Sequence, residues 1–237
     1  MIIKFGKLKQ KYYKGILEKA NYSLHDDVFS MMAEYIDADS YVLDFGCGQG
    51  AFSQRLADAG YQVDACDIDV DSFKASVNQF IQLDINKERI SDNFTRKYDI
   101  VVAMEIIEHI ENPWKFIRDI KSLLTPGGII MLSTPNISNF ASRLRFMMRG
   151  TFLSFERAGW AYGHITPLTS LQLEYIFMQN ELTILKKRAV GTLPLFHFDN
   201  ISLFNLFRNT VMPLLLPFLS GDKKGWCNAY VLKVSTV

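Results

Sequence analysis

The stretch Tyr41–Gly50, YVLDFGCGQG, restricts this chain more than any other. Its apolar start, Tyr41-Val42-Leu43, reads as the end of a buried strand. Asp44, Gly46, Gly48 and Gly50 then turn the chain into Ala51–Ala59, where Phe52, Leu56 and Ala59 recur at helical spacing. Strand, glycine turn and helix bring a helix N-terminus and bare backbone to the mouth of a crevice. Side chains at the glycines would keep a ligand away. The spacing is G-x-G-x-G with an acid just before it, not the G-x-G-x-x-G of dinucleotide sites. That points away from a pyrophosphate and toward a smaller nucleoside-containing ligand.

Further strands and helices alternate along the chain. Ser23–Ile36 reads as a helix with Ser23 as N-cap and Val28, Met31, Met32 and Tyr35 on one face. Tyr61–Asp67 reads as a second strand ending in Asp67, and Phe80–Ile85 as a short third ending near Asp84. Tyr98–Met104 is nearly all apolar, as a strand buried on both faces should be. Asn112-Pro113 opens a helix through Leu124, Thr125-Pro126-Gly127-Gly128 stops it, and Ile129–Thr134 is a fifth strand. This alternation predicts a doubly wound, mostly parallel α/β sheet, in which ligands bind outside the carboxyl ends of the strands. Asp44, Asp67, Asp84, Met104-Glu105 and Thr134–Asn136 all fall at such ends. A carboxylate at Asp67, roughly 20 residues past the glycines, is placed to accept both hydroxyls of a ribose. Asp69 and Asp71 read as helix caps.

With 237 residues, 49% of them hydrophobic, one domain with insertions is the expected organisation. The net charge of +1 does not suggest a nucleic-acid partner. Cys47 and Cys66 fall in or beside buried elements and read as small apolar fillers in a reducing compartment, so a cytoplasmic location is expected. The N-terminus lacks the apolar core of a signal peptide, and no apolar run is long enough to span a bilayer.

The ordered set VLDFGCGQG, VDACDID, YDIVVAMEIIEHIENP and LLTPGGIIMLSTPN resembles the class I S-adenosylmethionine-dependent methyltransferases over about Tyr41–Asn136. MEIIEH and STPN are similar to the ubiquinone-biosynthesis O-methyltransferases and their relatives in polysaccharide gene clusters. The resemblance implies a seven-stranded Rossmann-like sheet whose last strand is antiparallel, with a helix over Thr169–Gln179 and strands at Leu182–Val190 and Asn228–Val234. It also implies S-adenosylmethionine as cofactor and S-adenosylhomocysteine as product. Asp44, Phe45, Gly46, Gly48 and Gly50 would then surround the methionine part, with Asp44 near its ammonium. Asp67 and Ile68 would meet the ribose side, Asp84 and Ile85 the adenine, and Met104 the sulfonium. The implied organisation is an N-terminal helical cap (1–40), a cofactor-binding core (41–136) and acceptor-side inserts (137–168 and 191–226).

A hydroxyl acceptor benefits from a general base, so histidines near the strand ends are the catalytic candidates. His109 follows Glu105 and Glu108 at spacings that share a helix face, and Glu105, Glu108 and His109 would suit Mg²⁺ or another hard divalent ion. The ubiquinone-type enzymes use a matching E-x-x-E-H for a metal. Equally, the acids complement a helix N-terminus and His109 is itself the base or a partner of the cofactor. His164, in GHITP, is a second candidate base or a turn-capping residue. Ser138–Arg157 interleaves four arginines with apolar side chains, and reads either as a basic lip or as a solvated helix with packed arginine stems. Leu193–Leu219 is an apolar C-terminal insert broken by Pro213 and Pro217. It reads as a hydrophobic cover, a homodimer contact or a peripheral membrane contact. The function expected is O-methylation of a small-molecule, glycan or lipid-linked isoprenoid acceptor. The alternatives are a cofactor-binding partner subunit without catalysis and an NAD-dependent oxidoreductase.

Overall fold

Apolar runs bounded by turn residues become the strands of one sheet. The computed structural model describes residues 10–191, 206, 210, 214 and 225–235. Among the described residues the N-terminal part is not only helical, as expected, but includes a hairpin of β1 (Tyr12–Tyr13) and β2 (Ile16–Leu17). Lys14 and Gly15 supply its turn at positive φ. Helix α1 (Leu24–Met32) follows and is shorter than the sequence suggests. Ser23 stands at its N-cap, yet the Ser23 hydroxyl donates to Asp27 and accepts no bond from the cap amides. Val28, Met31 and Met32 are buried as expected, whereas Tyr35 lies beyond the helix and is exposed.

Next come β3 (Tyr41–Phe45), α2 (Ala51–Asp58), β4 (Gln62–Asp67), β5 (Gln79–Gln82) and β6 (Tyr98–Met104). β5 ends before Asp84, which sits in the following turn. Helix α3 (Pro113–Ser122) begins where Asn112 caps it, the Asn112 side chain accepting from the Lys115 amide, with Pro113 at the first position. β7 (Leu124–Pro135) departs from expectation, because Thr125–Gly128 belong to the strand and do not precede it. Its pairing with β6 jumps from Tyr98↔Leu124 to Ile100↔Ile129, so these turn residues form an irregularity within the ladder. Helices α4 (Phe140–Arg149), α5 (Arg157–Ala161) and α6 (Ser170–Gln179) lead to β8 (Leu182–Val190) and β9 (Cys227–Val234). Thr169 and Gln172 form a capping box at the start of α6.

The sheet has seven strands in the order β5-β4-β3-β6-β7-β9-β8. β9 is antiparallel to both neighbours, and the other pairs are parallel. Period-two alternation explains the two layers. Val42, Ile100, Val102 and Met131 face α1 and α2, where Val28, Met31 and Leu56 meet them. Leu43, Val101, Ala103 and Leu132 face α3 and α6, where Ile117, Ile120 and Phe177 meet them. The order reverses between β3 and β6, where a doubly wound sheet opens a crevice at its carboxyl edge. Among the described residues, no helix is long and apolar enough to cross a membrane. The apolar segment Leu193–Leu219 lies outside the described residues except for Leu206, Thr210 and Leu214.

Candidate active site

At the carboxyl end of β3 the chain is pinned to its neighbour before it turns. The amides of Gly46 and Cys47 both donate to the Cys66 carbonyl, at 2.8 and 3.1 Å. Gly46, Gly48 and Gly50 then take φ of +74°, +55° and +85°, a region costly for residues with a Cβ. A Cβ on Gly46 would sit 2.7 Å from Ile106 Cδ1. One on Gly50 would sit 2.6 Å from Phe73 and 2.7 Å from Ala75. Gly50 therefore serves the packing of the 73–75 segment and the start of α2, and it does not line the crevice.

A cavity of about 440 Å³ occupies the crevice. Asp44, Phe45, Gly46 and Gly48 line it from β3 and the turn, Asp67 and Ile68 from the end of β4, and Asp84 and Ile85 from beyond β5. Met104, Glu105 and His109 complete the wall after β6. Sequence reasoning did not place the N-terminal segment here, yet Leu17, Lys19, Ala20 and His25 also line the cavity, as do Asn86 and Tyr162. No spacing marks those residues; only tertiary packing of the hairpin on α2 brings them in.

Asp44 is almost fully buried and accepts from the Ser53 hydroxyl at 2.6 Å. Burial, with the charge of Asp67 adding to it, pushes its carboxyl up to about 7. The Asp67 carboxylate is fixed by two amides, Gly48 at 2.7 Å and Asp69 at 3.0 Å. It is thus locked at the rim with its orientation set by backbone. Asp84 is paired with Lys87 at 2.8 Å, and that ammonium holds its carboxyl below the usual range. His25 is buried edge-on against Phe52, and burial drives its imidazole down to about 4, so it is neutral near pH 7.

The helical E-x-x-E-H face does not form. Glu105 leaves β6 at φ +51°, and only Ile107–His109 make a short 3₁₀ turn. Glu105 accepts from Ser133 Oγ at 2.9 Å and from Cys227 Sγ at 3.1 Å. Glu108 is fully buried and accepts from Thr134 Oγ1 at 3.0 Å, with its second oxygen unpaired. Burial raises both carboxyls. Among the described residues, the side chains that do converge are Glu108, His109 and His164, with ligand atoms within 4.8 Å of one another. Glu105 is not part of that cluster, so Glu105, Glu108 and His109 do not gather as one ligand set, and the one oxygen and two nitrogens that do gather are not the oxygen-rich set magnesium takes.

His109 and His164 meet edge to face, ring centroids 4.8 Å apart. His164 Nδ1 lies 2.9 Å from the Ser154 carbonyl, and His164 is not among the residues lining the cavity, whereas His109 is. Burial lowers both imidazoles, and His164 lowers His109 further. The loop carrying His164 is laced to the turn carrying His109. Amides of Ile165 and Thr166 donate to the Glu108 carbonyl, and Thr166 Oγ1 donates to the Ile110 carbonyl at 2.6 Å. Gly163 packs so closely that a Cβ there would sit 3.1 Å from His109 Nδ1.

Comparison with known proteins gives the family and the fold. A family model described as "Methyltransferase domain" matches residues 16–187. The chain is 37% identical over 102 residues to the ubiquinone biosynthesis O-methyltransferase of Xanthomonas campestris pv. campestris (strain B100), covering 40% of this chain and 43% of that one. It is 36% identical over 106 residues to the enzyme of that name from Xanthomonas oryzae pv. oryzae (strain PXO99A). The chain thus matches less than half the length of these curated relatives. Its fold is similar to a SAM-dependent methyltransferase from Archaeoglobus fulgidus, with TM-score 0.59 and 17% identity over 88% of this chain and 94% of that one. It is similar also to the magnesium protoporphyrin IX methyltransferase of Synechocystis PCC 6803 with bound SAH, with TM-score 0.59 and 16% identity over 92% and 90% of the two chains. With the family model spanning most of the chain and the sheet order and glycine turn in place, this protein belongs to the methyltransferase-domain family, with the class I Rossmann-like fold of S-adenosylmethionine-dependent methyltransferases.

Proposed function

We propose that this protein is an S-adenosylmethionine-dependent methyltransferase that methylates a hydroxyl of a small-molecule, glycan or lipid-linked acceptor, with His109 as the base. The carrying observation is that His109 shares one cavity with Asp44, Asp67, Ile85 and Met104. Bare backbone at Gly48, where a Cβ would meet only the Lys19 stem, leaves room for an amino-acid tail, Asp67 is fixed for a ribose, and Ile68 and Ile85 offer apolar surface for a base. The cofactor supplies an already activated methyl group. The protein's work is then to hold the reacting atoms in line and exclude water, which accounts for about 7–11 kcal/mol of such barriers. His109, neutral at pH 7, would accept the hydroxyl proton; His164 and the 163–166 loop fix its ring. Glu105, Glu108 and His109 carry no metal step in this reading, because Glu105 stands outside the Glu108–His109–His164 cluster and its oxygens accept from Ser133 and Cys227. The O-methyltransferase relatives support oxygen as the methylated atom.

The test is transfer of label from methyl-labelled S-adenosylmethionine to phenolic, glycan and lipid-linked acceptors, with wild type and His109→Gln. Turnover by wild type is expected with at least one class, and His109→Gln should lower kcat by about 10²–10⁴-fold. Because the His109 imidazole is lowered, the wild-type rate should persist somewhat below pH 6.5 before falling on the acid side. Cofactor binding without transfer to any acceptor would favour a non-catalytic partner subunit instead, and full activity of His109→Gln would remove the base.

A further inference from the structure

The cavity is lined by carboxylates, and the ligand proposed for it ends in one. Asp44, Asp67, Asp69, Asp84 and Glu105 all face the space, with Lys19 the lone lysine or arginine among its described lining residues. An α-carboxylate entering that field needs donors. The glycine turn cannot provide most of them. The Gly46 and Cys47 amides are held by the Cys66 carbonyl, Gly48 by Asp67, and Gly50 by the Cys47 carbonyl at 2.9 Å.

Lys19 is positioned to answer this need. Its stem lies over the turn, Cδ being 3.6 Å from where a Gly48 Cβ would be. Its ammonium is close enough to help lower the Asp69 carboxyl, which is held down chiefly by Ser72. Its neighbour Glu18 turns the other way, into the protein, where it is buried near Lys11 and His25. This inward–outward alternation is that of extended backbone. The β1–β2 hairpin fixes the segment's direction. Lys14 pairs with Asp58 of α2 at 2.8 Å, the Glu18 amide donates to the Lys11 carbonyl at 2.9 Å, and Asp26 of α1 is bridged by Lys11 and by Arg55 of α2, each at 2.6 Å.

We propose that Lys19 receives the α-carboxylate of the cofactor, and that the N-terminal hairpin is the clamp that carries this lysine over the glycine turn. The inference rests on the cofactor reading above and names a residue that selects for the amino-acid tail.

Calorimetry with S-adenosylmethionine and with its decarboxylated form, on wild type, Lys19→Met and Lys19→Arg, separates the possibilities. Wild type should bind the decarboxylated form about tenfold or more weakly, the scale of a lost charge-assisted hydrogen bond. Lys19→Met should weaken S-adenosylmethionine by a similar factor, leave the decarboxylated form within about twofold, and so erase the discrimination; Lys19→Arg should restore most of it. Equal weakening of both ligands by Lys19→Met would overturn the proposal, since the lysine would then act on the pocket and not on the carboxylate. Discrimination that survives in Lys19→Met would also overturn it, and would assign the carboxylate to the N-terminus of α2 instead. Failure of wild type to bind either ligand would sink the cofactor reading itself.

Discussion

A carboxyl almost fully buried beside a second carboxylate keeps its proton to unusually high pH, and Asp44 does so up to about 7. A ligand ammonium placed against it would favour the ionised form and drive that proton off. The folded-state value is raised, so at pH 6 the empty protein holds the proton and the complex does not. Binding of S-adenosylhomocysteine at pH 6 should therefore release close to one proton, measured by calorimetry in buffers of differing ionisation heat. Asp44→Asn should abolish that release. Equal proton release by wild type and variant would place the ammonium elsewhere. Asp67 differs in its surroundings, since the Gly48 and Asp69 amides both donate to its carboxyl and fix its orientation at the rim.

Elements decide how those residues meet. The 163–166 loop is laced to the His109 turn by several hydrogen bonds, of which Thr166 Oγ1 to the Ile110 carbonyl is one. Thr166→Val removes that bond at a cost of about 1 kcal/mol, roughly a fivefold loosening of the loop. Turnover should fall several-fold while S-adenosylhomocysteine affinity stays within about twofold, because the loop is bonded to the His109 turn and not to Asp44, Asp67 or the glycine turn. A matching loss of affinity would contradict that division. Strand ends were legible in the sequence because apolar runs such as Tyr98–Met104 stop at acids, and Tyr98–Met104 forms as read. Three features were not legible. Tyr12–Leu17 is too short to show a period and pairs only because α2 supports it. Glu105 reads as helical by spacing, yet the exit from β6 demands φ +51° there. Thr125–Gly128 read as a terminator, yet β6 accommodates them as an irregularity in its ladder with β7.

For the whole molecule, the parallel order β5-β4-β3-β6-β7 gathers the ends of distant segments along one edge, and β9 with β8 completes the far side. Residues spread from Leu17 to Tyr162 thereby border one cavity. The layered core makes this edge a fixed rim and not an adjustable one, since Val42 and Leu43 are each locked into opposite layers. The most direct measurement is a crystal structure with S-adenosylhomocysteine. The expected result is the nucleoside between Asp67, Ile68 and Ile85, the amino-acid tail over Gly46 and Gly48 between Asp44 and Lys19, and the sulfur beside Met104 facing His109. Ligand density elsewhere on the protein, with this edge of the sheet left empty, would contradict the assignment.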